Sequence, residues 1–155
     1  GTLGKAVGAA GGYVCGSRAL IDVLINCARS FIFSTAPVPA AAAAAAAGVR
    51  FIASKAGADR CQLLWQRIEE FASQFPAPGI RPPGAIIPLR MGAESAAMDA
   101  AAALRKAGIF VPAIRYPTVA RNQARLRVTL TAAHSDNDIQ SFAQALTSLN
   151  LKFEI

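Results

Sequence analysis

Across residues 75–84 the chain reads Phe-Pro-Ala-Pro-Gly-Ile-Arg-Pro-Pro-Gly, and no regular helix can pass through it. Each proline fixes its own φ, lacks an N–H and pushes the preceding residue out of the helical region. The stretch therefore reads as a linker or long loop. The apolar pattern changes rhythm across it, from helical spacing upstream to short strand-like runs downstream.

Upstream of the linker, residues 12–16 are expected as a short strand. Ser17 is placed to cap a helix running to about Arg29, with Leu20, Val23, Leu24 and Cys27 on one side. Pro37 and Pro39 mark the next helical start, and the alanine run at residues 40–47 supplies high helix propensity with a thin profile for close packing. Asp59 is placed to cap a third helix, in which Leu63, Leu64, Ile68 and Phe71 recur at helical spacing. Trp65 and Phe71 are expected in the core. Downstream, residues 86–90 read as a strand, 94–107 as an alanine-rich helix stopped by Gly108, and 109–114 as a second strand. Residues 125–131 alternate polar and apolar as a half-buried strand does. Ser135, with Asp138 three residues on, matches an N-terminal capping pattern for a last helix to about Leu149. This strand–helix–strand–strand–helix order suits an α/β small domain with a mostly antiparallel sheet.

Composition narrows the function classes. A chain of 155 residues can bury roughly two-thirds of its unfolded surface. Its 54% hydrophobic content is raised by alanine. Pro37, Pro39, Gly48 and Arg50 bracket the alanine run too closely for a membrane span of about 20 residues, and no signal peptide is readable. Cys15, Cys27 and Cys61 form an odd set without metal-ligand spacing, which fits buried or free thiols and a cytoplasmic address; no metal is expected. The charge is +7, from 16 Lys and Arg against 9 Asp and Glu. The basic residues are scattered, with the tightest group at Arg115, Arg121, Arg125 and Arg127. No aromatic-interleaved basic stripe is present for stacking single-stranded nucleic acid. A site for anionic small molecules accounts better for the surplus.

Lys5 stands in Gly1-Thr2-Leu3-Gly4-Lys5-Ala6-Val7-Gly8-Ala9-Ala10-Gly11-Gly12. As a phosphate-cradling loop the segment fails. Only two residues separate Gly1 from Gly4, and Ala6 stands where Ser or Thr should hold Mg²⁺. Two readings stay open on the local sequence. Lys5 is either a solvated charge among turn glycines, which is the commoner case, or a lysine whose amine condenses with a carbonyl cofactor.

Four segments carry a resemblance that extends along nearly the whole chain. They are Thr2-Leu3-Gly4-Lys5-Ala6 with Gly11-Gly12-Tyr13-Val14 after it, Arg29-Ser30-Phe31-Ile32-Phe33-Ser34-Thr35, Ala113-Ile114-Arg115-Tyr116-Pro117-Thr118-Val119, and residues 124–134 ending Thr131-Ala132-Ala133-His134. In this order they resemble the α-oxoamine synthases, pyridoxal-phosphate (PLP) enzymes of the aspartate-aminotransferase fold type. The resemblance implies that residues 1–50 are the tail of a large cofactor domain, 51–84 a connecting helix and loop, and 85–155 a carboxy-terminal small domain.

It also implies roles. Lys5 is the Schiff-base lysine and afterwards the base that removes the substrate α-proton. Thr2 hydrogen-bonds the cofactor phosphate. Thr35 reaches a phosphate in the partner subunit's site, which makes the enzyme a homodimer with shared sites. The alternative for Thr35 is a helix cap ahead of Pro37. Arg127 clamps the amino-acid carboxylate, whereas a strand-edge surface arginine is the alternative that Arg125 illustrates. Thr118 lies near the substrate, or simply forms the turn after Pro117. His134 is expected to be structural, since the family's ring-stacking histidine lies upstream of its lysine.

The implied reaction condenses an amino acid with an acyl-coenzyme A or acyl-carrier-protein thioester and loses CO₂. The Pro-Thr-Val and Thr-Ala-Ala-His stretches favour L-alanine and a pimeloyl donor, as in biotin biosynthesis. A glycine-using family member and a non-catalytic basic binding module are the alternatives. Tyr116 and the Ala120-Arg121-Asn122-Gln123 stretch depart from the family pattern beside the substrate pocket. The family's ring-stacking histidine and its aspartate for the pyridine nitrogen come from sequence ahead of the lysine. The chain alone is therefore expected to show little synthase activity, and residues 1 to about 50 to expose apolar surface.

Overall fold

A computed structural model of the chain describes residues 1–74 and 84–154. The proline-rich stretch expected as a linker lies, apart from Gly84, outside the described residues. The chain divides into two compact units, Gly1–Asp59 and Arg60–Ile155, each described here by itself.

The first unit opens on a glycine-rich hairpin and continues through α1 (Arg18–Cys27), α2 (Arg29–Ile32), α3 (Pro39–Ile52) and the start of α4 (Lys55–Ser73). Ser17 caps α1 as expected, its side chain accepting from the Leu20 N–H. The helix stops at Cys27 rather than Arg29 because Ala28 is extended, and α2 starts afresh from there. The strand expected at residues 12–16 is reduced to one bridge, Thr2 to Gly12. Tyr13 still exchanges backbone hydrogen bonds with Gly1, and beyond Tyr13 no neighbouring strand is found among the described residues, so the extended segment forms no ladder. Pro39 takes the first position of α3, where its missing N–H costs nothing. The helix expected from Asp59 starts earlier, at Lys55, because the Ser54 hydroxyl accepts from the Gly57 N–H. Asp59 instead pairs with Lys55 one turn back.

Only Ala45 is a buried hydrophobic residue in this unit, while Tyr13, Val14, Val23, Phe31, Phe33 and Val38 are each more than half exposed. The expected apolar exposure of the first fifty residues is what the structure shows.

The second unit holds a three-stranded antiparallel sheet in the order β1-β3-β2, from β1 (Ile86–Gly92), β2 (Ala113–Ile114) and β3 (Ala124–Thr129), with α5 (Glu94–Lys106) and α6 (Asp136–Ser148). This is the expected α/β arrangement. Ile87, Leu89, Leu126 and Val128 point from one sheet face into a core completed by Ile68 and Phe71 of α4, Leu104 of α5, and Ile139, Phe142 and Leu146 of α6. Trp65, expected in the core, is 40% exposed. The buried stripe of α4 runs 64, 68, 71, and Trp65 lies one position round the helix from it.

The strand expected at residues 109–114 shrinks to two residues. Ahead of them Pro112 has no N–H to give the ladder, although its carbonyl accepts from the Arg127 N–H at 2.9 Å. Gly108 ends α5 with φ near 81°. Ser135 and Asp138 form a reciprocal capping box at the start of α6.

Candidate active site

Lys5 lies at the tip of the first unit's hairpin. The hairpin closes through Leu3 N–H to the Gly11 carbonyl at 2.9 Å and Tyr13 N–H to the Gly1 carbonyl at 3.0 Å. Above those rungs, Gly8 N–H reaches back to the Lys5 carbonyl at 2.9 Å, so the lysine backbone is fixed within a tight turn. Its side chain is exposed and, among the described residues, has no carboxylate partner. Thr2 stands three residues earlier on the same arm. Its Oγ1 accepts from the Gly4 N–H at 3.3 Å, which leaves the hydroxyl proton free to donate. The turn is backed by α3: a Cβ on Gly48 would fall 2.5 Å from the Val7 carbonyl oxygen, so only glycine lets the helix approach this closely.

The donor set suits PLP. A free amine for the aldehyde and a hydroxyl for the phosphate share one hydrogen-bonded hairpin, and among the described residues no acid competes for the amine. Thr35, in the same unit, is exposed between α2 and α3. It is not the cap of α3: Val38 holds that position with no side-chain hydrogen bond, and Thr35 only accepts through its carbonyl from Ser34 Oγ.

Arg127 and Thr118 belong to the second unit. The strand alternation buries Ala124, Leu126 and Val128 and turns Arg125, Arg127 and Thr129 to the opposite face. The two arginines differ. Arg125 is half-buried, and its Nε donates to the Gln123 carbonyl at 3.0 Å. Arg127 is exposed and makes no side-chain hydrogen bond or ion pair among the described residues. An uncommitted planar guanidinium on a rigid strand can take a carboxylate through two parallel bonds. Thr118 lies in the turn after Pro117, its N–H donating to the Arg115 carbonyl at 3.0 Å. The turn is braced by Arg121, whose guanidinium carbon sits 4.4 Å from the centre of the Tyr116 ring.

His134 is structural, as expected. Its Nδ1 accepts from the Thr131 N–H at 3.0 Å and so closes the turn leading into α6. Asp138 beside it is held below the ordinary carboxylate range, chiefly by hydrogen bonds from the Ser135 backbone and hydroxyl and to a smaller extent by the His134 charge; partial desolvation opposes them.

The three cysteines are free and exposed, not buried. Among the described residues no His/Cys/Asp/Glu cluster could hold a metal ion, and no helix is long and apolar enough to cross a membrane.

Two features were not foreseen from sequence. Arg67 of α4 pairs with Glu70 at 3.0 Å and with Asp136 at the start of α6, a contact across 69 residues that no local pattern signals. Arg90 faces Arg125 across the sheet. Its only sequence signal is a charge inside the apolar run of β1.

A family profile described as aminotransferase class I and II matches residues 1–146. A Desulfovibrio desulfuricans protein provisionally named 8-amino-7-oxononanoate synthase is 47% identical over 148 residues, which is 94% of this chain and 38% of that protein. The solved 8-amino-7-oxononanoate synthase of Francisella tularensis superposes with a TM-score of 0.78 at 26% identity, covering 96% of this chain and 44% of its own. A structure of SPT with PLP as internal aldimine agrees in fold, with a TM-score of 0.84 at 22% identity over 97% of this chain and 40% of that one. The chain thus spans about two-fifths of the length of the proteins it matches.

Proposed function

The chain belongs to the aminotransferase class I and II family, and we propose that it is the lysine-bearing, carboxy-terminal part of a PLP-dependent acyltransferase of the 8-amino-7-oxononanoate synthase type. The observation that carries the reading is the Lys5 hairpin, which holds the Thr2 hydroxyl and an amine that has no partner among the described residues. When bound, the cofactor supplies an electron sink for the carbanion formed at the amino-acid α-carbon.

The chain's own residues do the rest. Lys5 Nζ would hold the cofactor and would accept the proton from the amino-acid α-carbon. Thr2 Oγ1 donates to the phosphate. Arg127 holds the amino-acid carboxylate and so sets which α-carbon bond stands ready to break. Thr118 lies near the substrate. L-alanine and a pimeloyl thioester, on coenzyme A or acyl-carrier protein, are the favoured pair, with glycine and a shorter acyl group as the close rival. Residues 1–50 are assigned to the cofactor domain, 51–84 to the connection and 85–155 to the small domain. Thr35, with its hydroxyl uncommitted, is assigned to a phosphate in the partner subunit of a cytoplasmic homodimer.

Borohydride reduction after incubation with PLP, followed by peptide mapping, tests the assignment. Lys5 is expected to carry the pyridoxyl label in preference to Lys55, Lys106 and Lys152, and Lys5→Ala to remove it. Labelling spread evenly over the four lysines would overturn the reading.

A further inference from the structure

Like charges placed directly opposite each other on neighbouring strands destabilise a sheet. Arg90 of β1 is opposite Arg125 of β3, on the face that also carries Arg127 and away from the helices. Arg90 is exposed, and its side chain forms no ion pair among the described residues. Its backbone is held firmly: the N–H donates to the Glu154 carbonyl at 2.7 Å, and the carbonyl accepts from the Glu154 N–H at 3.0 Å.

Just beyond, the register shifts between Arg90 and Gly92, and Gly92 and Asn122 turn the two strands through positive φ angles of 76° and 58°. Bulges of this kind re-aim side chains at sheet edges and beside active sites. Here the bulge borders a polar cleft of about 490 Å³ whose lining includes Arg90, Asn122, Gln123, Lys152 and Glu154. Arg90 and Lys152 line this cleft with Glu154, and among the described residues neither forms an ion pair with it; Arg125 adjoins through its position opposite Arg90.

We propose that Arg90 and Arg125 form a second anion site that holds the far, anionic end of the acyl thioester. That end is either the terminal carboxylate of a dicarboxylic acyl chain or a phosphate of the thioester carrier. The identity of the ligand rests on the acyltransferase reading above; the like-charged pair and its cleft do not. Arg127 lies two residues along β3 from Arg125, so one strand presents guanidinium groups to both substrates. Arg125 keeps its terminal nitrogens for the shared anion, because only its Nε is engaged by Gln123. An anion between the two forks removes the repulsion that the empty pair carries.

The test is an NMR titration of the chain's arginine Nε–H signals with monomethyl pimelate, coenzyme A and inorganic phosphate, each at constant ionic strength. Saturating shifts at Arg90 and Arg125 with monomethyl pimelate assign the carboxylate, and with coenzyme A the carrier phosphate. Arg90→Gln is expected to weaken that binding at least fivefold, and Arg90→Lys, which keeps the charge and controls for folding, to weaken it less. Shifts with inorganic phosphate alone (an adventitious ion only), no shifts at all, or shifts that both variants leave unchanged would sink the proposal. Lys5 labelling is read separately. A labelled Lys5 with a silent Arg90 removes only the anion site, and the reverse removes only the cofactor assignment.

Discussion

Gly48 in the interior of α3 stands so close to Val7 that a methyl group on it would lie 2.5 Å from the Val7 carbonyl oxygen and 2.7 Å from a side-chain methyl. This contact sets the Lys5 turn against a rigid helix. Replacing an interior helical glycine by alanine ordinarily stabilises by about 1 kcal/mol. At Gly48 the added carbon meets backbone, so overpacking of about 1–3 kcal/mol decides the sign. Gly48→Ala is expected to lower the urea midpoint of the chain and to slow pyridoxyl labelling at Lys5. A raised midpoint would show that the turn is not held by this contact.

Arg127 and Arg125 leave the same sheet face but differ in commitment, since Arg125 is bonded to Gln123 and Arg127 to nothing described. Hydrogen bonds to a charged group contribute about 1.5–3 kcal/mol each. With Arg127 holding the amino-acid carboxylate as proposed, Arg127→Ala is expected to weaken L-alanine binding by roughly tenfold or more, and Arg125→Ala to change it much less. Titration of the two variants with L-alanine, followed by NMR, makes the comparison; equal losses would refute it.

The cap of α6 should be acid-sensitive. The Asp138 carboxyl titrates below the ordinary aspartate value of 3.8, mainly because it accepts hydrogen bonds from Ser135. A carboxylate whose folded-state value is depressed adds stability in full above its unfolded value, and that stability is lost as pH falls through the folded value. Helicity by circular dichroism should thus fall as pH drops from about 3.8, with Asp138→Asn lacking this part of the pH dependence. At neutral pH, Ser135→Ala is expected to cost about 1 kcal/mol through loss of the cap.

Phe71 of α4 and Phe142 of α6 stack with ring centres 5.5 Å apart and planes within 10°. Both belong to the core beneath the sheet. Phe142→Ala is expected to cost about 3–5 kcal/mol, through lost burial and the cavity left behind. That is a large share of the stability of a small domain. Loss of dispersed amide signals from residues 85–154, with those of residues 1–50 unchanged, is the expected spectrum; a well-dispersed spectrum throughout would count against it.

Several interactions that span only a few residues were legible in the sequence, although the Ser54 hydroxyl that starts α4 was not. Ser17 and Ser135 cap their helices, Pro39 opens α3, Gly108 closes α5, and the alternation of β3 separates Leu126 from Arg127. The Lys5 segment alone left two readings open, and only the resemblance along the whole chain favoured a cofactor lysine. Tertiary structure decided what depends on neighbours distant in the chain. The pairing of residues 12–16 stops after Tyr13 because the backbone beyond it finds no partner among the described residues, and residues 109–112 lose theirs at Pro112. Trp65 stays at the surface because packing chose the neighbouring stripe of α4. Register alone set Arg90 against Arg125, and only folded contacts distinguished a committed Arg125 from an open Arg127. A sequence states which side chains share an element, whereas the meeting of elements fixes which of those side chains remain free to bind.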